Sequence, residues 1–156
     1  MRLRIITVGS RQPTWVDEAI ADYLKRFRAP WRLELVELEA ATRTGGYRAD
    51  GAIEREGERV LAALRERERV ILLDETGKSF STRELALRLE SVVSSSPDLV
   101  LLIGGVDGHS AAVRARAAES WSLSKMTLPH GLARVVLIEQ LYRAFSLSQS
   151  HPYHRD

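Results

Sequence analysis

The run Leu99-Val100-Leu101-Leu102-Ile103 limits what this chain can become more than any other segment. Five apolar residues without polar alternation describe a strand buried on both faces, and such strands belong to parallel sheets covered by helices on each side. The rest of the sequence supplies those partners. Residues 2–8 are apolar and β-branched and read as a first strand. Val16, Ile20, Tyr23, Leu24 and Phe27 share one helical face, and Thr14-Trp15-Val16-Asp17 opens that helix as a capping box with Asp in place of Glu. Leu33, Leu35, Val36 and Leu38 mark a second strand. Thr42 to Gly51, with three glycines, predicts a mobile loop. Ile53, Val60, Leu61 and Leu64 mark a helix, and Arg69 to Asp74 a third strand. Ser81 with Glu84 caps a helix carrying Leu85, Leu89 and Val92, which ends at Ser94-Ser95-Ser96-Pro97. A short helix follows Ser110, a short strand covers Trp121-Ser122-Leu123, and the last helix runs from about Gly131 to Leu147. With no repeat and no second core, residues 1–156 read as one α/β domain around a mostly parallel sheet.

Composition excludes several classes. At 44% hydrophobic and 28% charged the chain folds rather than staying disordered. No apolar run approaches the roughly 20 residues of a membrane span. The N-terminal apolar stretch runs into Gly9-Ser10-Arg11-Gln12-Pro13 without a cleavage-site pattern, so it predicts a strand rather than a signal peptide. The absence of cysteine removes disulfides and zinc–thiolate sites and fits a cytoplasmic protein. Net charge is +2, and the cations are almost all arginine, which pairs with phosphate and stacks on bases. RNA is thereby permitted as a partner, although charge alone does not decide it.

Ligands of such sheets bind at the carboxyl ends of strands. Here those loops are Asp74 to Ser79, Gly104 to Gly108 and Ser124 to His130. Gly77-Lys78-Ser79 ends like a P-loop, but Leu72 stands where that motif needs glycine, so it reads as a surface turn. Gly104-Gly105-Val106-Asp107-Gly108 follows the fourth strand and is no dinucleotide fingerprint; it reads equally as a tight turn or a ligand loop. Ser122 to His130 is both apolar and irregular, which predicts a buried loop whose backbone groups need partners. The histidines, His109, His130, His151 and His154, have no metal-binding spacing, so no metal is expected. Glu139 and Arg143 lie four apart on the last helix, as in a simple intrahelical ion pair. That helix also carries Val135, Val136, Leu137, Ile138, Leu141, Tyr142 and Phe145, apolar on enough of its circumference to predict cover from two sides: the core and a second subunit. The tail His151-Pro152-Tyr153-His154-Arg155-Asp156 holds groups that stack on bases, bond phosphate or move protons.

Four motifs in order, Leu101 to Gly108, Trp121 to Ser124 with Thr127 to His130, Glu139 to Ala144, and His151 to Arg155, resemble the RlmH family of large-subunit ribosomal RNA methyltransferases within the SPOUT superfamily. The likeness extends to Val8-Gly9 and to Tyr23-Leu24-Lys25-Arg26-Phe27. It implies a single-domain SPOUT α/β knot, with a C-terminal trefoil knot and residues 149–156 as a functional tail. It also implies a homodimer that transfers a methyl group from S-adenosylmethionine to N3 of a pseudouridine in 23S ribosomal RNA on the assembled ribosome. Carried over by position, the cofactor pocket is Leu73, Gly105, Ser124, Lys125, Met126, Thr127, Leu128 and Pro129. Val106 and Asp107 depart from the family's usual Pro and Glu. Arg143 is the candidate for electrostatic help, His154 and His130 for the base, and Tyr153 for contact with RNA. A SPOUT enzyme acting on transfer RNA, a non-catalytic RNA-binding dimer and a purely structural dimer are the other readings the residues allow.

Overall fold

The computed structural model describes residues 2–9, 11–43, 49–95, 98–150 and 152–153. Five strands and five helices alternate: β1 (Arg2–Val8), α1 (Thr14–Leu24), β2 (Arg32–Leu38), α2 (Ala49–Ala63), β3 (Arg69–Ser79), α3 (Thr82–Ser95), β4 (Asp98–Ile103), α4 (Ala111–Arg116), β5 (Glu119–Ser122) and α5 (His130–Ser148). The strands form one parallel sheet in the order β2-β1-β4-β3-β5. The apolar run of β4 therefore sits at the centre, paired with β1 on one side and β3 on the other.

The period-two pleat sorts the strand residues into two cores. Leu3, Ile5, Ile71, Leu99, Leu101 and Ile103 face a layer built from α1, α3 and α5. Ile6, Val8, Val70, Leu72, Val100 and Leu102 face the opposite layer, with Val60 of α2 and Val113 of α4. Both faces being covered is why β4 shows no polar alternation. Truncating the fully buried Leu101 to alanine costs about 2–5 kcal/mol for this reason.

Several local expectations change. Thr14 is not a cap: it is the first helical residue, Pro13 holds the cap position with φ −57°, and no side chain bonds the first turn. Proline's fixed φ sets that entry without a capping hydroxyl. The Ser81–Glu84 box is reciprocal, with Ser81 N donating to Glu84 Oε2 at 2.7 Å and Glu84 N to Ser81 Oγ at 3.3 Å. The loop expected to reach Gly51 ends earlier, since α2 begins at Ala49; residues 44–48 lie outside the described ones. Gly77-Lys78-Ser79 is no surface turn. Residues 74–77 bulge from β3, which then rejoins β5 so that both Leu73 and Lys78 pair with Trp121. A Cβ at Gly77 would lie 2.6 Å from the backbone carbon of Trp121, so the crossing needs glycine.

The apolar circumference of α5 is partly covered within one chain, with Leu132 exposed and Val135 and Val136 half-buried. It lies on the sheet between α1 and α3, burying Leu137, Ile138, Leu141, Tyr142 and Phe145. Two neighbouring helices thus flank it within the chain. No helix among the described residues is long and apolar enough to cross a membrane.

Candidate functional site

The carboxyl ends of β3, β4 and β5 open into a cleft of ≈ 750 Å³. The bulge of β3 contributes Asp74, Glu75 and Thr76, the turn after β4 contributes residues 104–109, and the segment before α5 contributes Ser124, Met126, Thr127, Leu128 and His130. The three loops expected from strand ends are therefore the three walls. Of the predicted pocket residues, Leu73, Gly105, Ser124, Met126, Thr127 and Leu128 line it; Lys125 and Pro129 belong to the same segment without lining the cleft.

The glycine turn is a tight turn that borders the cleft. Gly108, at φ +83°, returns its N–H to the Gly105 carbonyl at 3.0 Å, and a Cβ at Gly104 would meet Gly108 O at 2.6 Å. The turn closes on itself and still forms a wall of the cleft. It is braced from behind by Glu56 of α2, only 2% exposed, which accepts Ala41 N at 2.9 Å and pairs with Arg43 at 3.1 Å. Arg43 continues to Asp107 through Nε at 3.0 Å and Nη2 at 2.8 Å. A Cβ at Gly105 would lie 2.6 Å from Glu56 Oε2, so this backbone approaches a buried carboxylate closely.

At the β3 wall, the Thr76 hydroxyl and N–H, with Arg114, hold the Asp74 carboxyl at about 2. His109 is 9% exposed and lies 3.3 Å from the Leu73 carbonyl, joining the ends of β3 and β4; burial pushes its pKa down. The expected burial of the segment from Ser122 to His130 is corrected. Lys125, Met126 and Thr127 are exposed, Met126 by 78%, because the segment forms the rim of an open cleft. Its backbone is partly satisfied locally, with Met126 N donating to Ser124 Oγ and Ser122 Oγ to Ser124 O, both at 2.9 Å.

The four candidate catalytic groups are not together. His130 lines the cleft at the start of α5. Arg143 lies 13 residues further along the helix, about 20 Å at 1.5 Å per residue. It donates to Glu139 Oε1 through Nε at 2.9 Å and Nη2 at 2.6 Å, and its guanidinium lies 4.9 Å from the Tyr153 ring centroid. Tyr153 OH reaches Tyr23 OH at 3.1 Å and donates to Glu139 at 3.3 Å. Burial pushes the Tyr153 phenol up, and the Glu139 hydrogen bond raises Arg143. Tyr23 and Arg26 complete this second cluster, with Arg26 4.8 Å from the Tyr23 ring centroid. His154 lies outside the described residues. Among the described residues no group of three or more His, Asp or Glu side chains could hold a metal.

Sequence reasoning missed Arg134. It is fully buried at 0% exposure and bonds Glu37, the Gly9 carbonyl and His130. The signal was present: a lone cation among Leu132, Ala133, Val135, Val136, Leu137 and Ile138, one turn after a histidine.

Residues 1–154 match the family model described as "Predicted SPOUT methyltransferase". The chain is 46% identical over 156 residues to the ribosomal RNA large subunit methyltransferase H of Chromobacterium violaceum, with both chains covered completely. It is 44% identical over 156 residues to the protein of the same name from Laribacter hongkongensis and 49% over 158 residues to that from Thioalkalivibrio sulfidiphilus, again across the full length of each.

Proposed function

Because this chain belongs to the SPOUT methyltransferase family, we propose that it methylates large-subunit ribosomal RNA with S-adenosylmethionine as methyl donor. The finer reading is N3 of a pseudouridine in 23S ribosomal RNA, on the assembled ribosome, by a cytoplasmic homodimer. The observation that carries the activity is likeness along the entire chain to relatives named for it.

The cleft fits the donor. It offers apolar walls from Leu73, Ile103, Leu123 and Leu128 for an adenine ring, and carboxylates at Asp74, Glu75 and Asp107 for a ligand with ammonium and sulfonium charges. When bound, the donor supplies an activated methyl group, and the protein supplies alignment. Leu73, Gly105, Ser124, Met126, Thr127 and Leu128 would hold it. Lys125 and Pro129 would shape the rim segment.

An imide nitrogen is a poor nucleophile until it loses its proton, so the site must favour the anion. Arg143 stabilises that negative charge, Tyr153 contacts the base, and His154 takes or positions the proton. His130 is better suited to holding the cleft wall than to proton transfer, since both its ring nitrogens face protein partners. The separation of about 20 Å along α5 keeps Arg143 and Tyr153 from their own chain's cleft. A two-fold dimer that brought the far end of one α5 to the cleft of the other would complete the site from two chains. The sheet order, with β4 inserted between β1 and β3, is compatible with the C-terminal knot of the family.

Incubation with labelled S-adenosylmethionine and intact ribosomes, followed by nucleoside analysis, tests this reading. Label is expected in a pseudouridine of 23S ribosomal RNA, with apparent affinity falling as salt rises. Label in transfer RNA alone, or donor binding without transfer to any RNA, overturns it.

A further inference from the structure

The start of α5 contains a buried chain of groups that runs from the far sheet edge to the cleft. Arg134 Nη1 donates to Glu37 Oε1 of β2 at 2.5 Å, and Nη2 donates to the Gly9 carbonyl at the end of β1. Its Nε donates to His130 Nδ1 at 3.3 Å, and His130 Nε2 lies against the Gly104 carbonyl. Gly104 precedes Gly105, and both line the cleft with His130. The chain is directional. A guanidinium is always protonated and only donates, so His130 Nδ1 must accept. The Gly104 carbonyl only accepts, so His130 Nε2 must carry the proton. One tautomer satisfies both ends.

We propose that Arg134 is a positioning residue for the donor cleft: it holds His130 as the neutral Nε2–H tautomer, and that proton fixes the Gly104–Gly105 peptide against which the ligand lies. This rests on the reading of the cleft as the methyl-donor pocket. The charged groups around the pair agree with a neutral imidazole. Arg134 faces it from α5, Glu56 from α2, and Glu37 of β2 and Asp17 of α1 face the guanidinium. Burial, and then the Arg134 charge, push the His130 pKa down, while the Gly104 bond and Glu56 oppose this. A second ring proton would point at a cation. Fully burying a guanidinium beside a single half-exposed carboxylate is a costly way to secure a helix, since buried pairs often stabilise less than apolar packing. A duty in the cleft accounts for it.

Arg134→Lys separates the roles. Its ammonium stands near the position of the guanidinium carbon and keeps the positive charge beside Glu37, but a methylene replaces Nε, so the donation to His130 is lost. In the wild type, nuclear magnetic resonance of the imidazole nitrogens should show His130 as the neutral Nε2–H tautomer at about pH 7, taking up a proton at lower pH than an ordinary histidine. In Arg134→Lys the tautomers should mix, and donor affinity by calorimetry should fall about ten-fold. Arg134→Lys in a His130→Gln background should then cost little more, because the two act through one path. His130→Gln and His130→Ala make the test independent of how Arg134→Lys folds. Glutamine can still donate to Gly104 and should bind the donor close to wild type, while alanine should bind about ten-fold more weakly. Equal affinities of those two variants, or a pure Nε2–H tautomer with undiminished affinity in Arg134→Lys, overturn the proposal alone. A folded wild type that binds no S-adenosylmethionine overturns the pocket reading and this proposal with it.

Discussion

The two ends of α5 are built from the same helix and do opposite things with charge. At its start, Arg134 is fully buried, and each of its three side-chain nitrogens donates to a protein acceptor. Towards its far end, Arg143 is half-buried, shares Glu139 with Tyr153, and presents a cation against the Tyr153 ring. The first arrangement suits a rigid wall for a small ligand. The second suits a surface that receives a nucleotide, where stacking and phosphate contact need accessible groups. A helix separates the two arrangements by about 20 Å, so one copy holds them far apart.

The largest effect should come from the ligand end. Gly105→Glu adds a second carboxylate on the Glu56 side of the turn, where even a Cβ meets Glu56, and it should reduce S-adenosylmethionine binding by at least about 100-fold by displacing the turn that walls the cleft. Calorimetry measures this, with circular dichroism confirming the fold; a folded variant with unchanged binding would show that the glycine turn is no part of the pocket.

Next comes the nucleotide end. Arg143→Ala should lower kcat about 100-fold while leaving donor affinity within about two-fold, as expected for loss of one electrostatic contact to developing charge. If only the melting temperature drops, the Glu139 ion pair is Arg143's whole role, and the contrast between the ends collapses.

Mixing sharpens the comparison into a statement about subunits. Chains lacking residues 151–156 should bind donor yet fail to methylate. Unfolded and reassociated with equal amounts of Gly105→Glu, they should recover about one site in four. A verified mixed dimer at background activity would return the tail to its own chain's cleft, leaving the methyltransferase assignment in place.

The smallest effect tests the rigid end through acid. Asp74 and Glu119 are both held at about 2, Asp74 by Thr76 and Arg114, and Glu119 by Arg88, Trp121 and Arg69 against the cost of its burial. A depressed folded-state pKa stabilises above the unfolded value and is lost as pH falls through the folded one. Their contribution should be intact above roughly pH 4 and disappear towards about pH 2. Urea unfolding of wild type and Asp74→Asn across that window checks it; equal pH slopes would remove Asp74 from the account.

Much of this was legible in the sequence because it is local or periodic. The unbroken apolar run of β4 signals two covered faces, alternation along β1 and β3 assigns residues to them, and strand-end loops mark the cleft. The Ser81–Glu84 box was readable since its partners are three residues apart. Four ordered motifs carried the family, and with it six residues that line the cleft. What could not be read depends on contacts between distant segments. Gly77 resembles turn punctuation until β5 crosses it, and Arg134 resembles a stray cation until Glu37 and Gly9 arrive 97 and 125 residues away in the chain. The circumference of α5 asked for cover on two sides without saying that α1 and α3 would flank it. Periodicity records which faces are apolar, so the sequence determined the layers and the loops; which surface covers each face, and which acceptor meets each buried donor, follows from packing in three dimensions and was decided there.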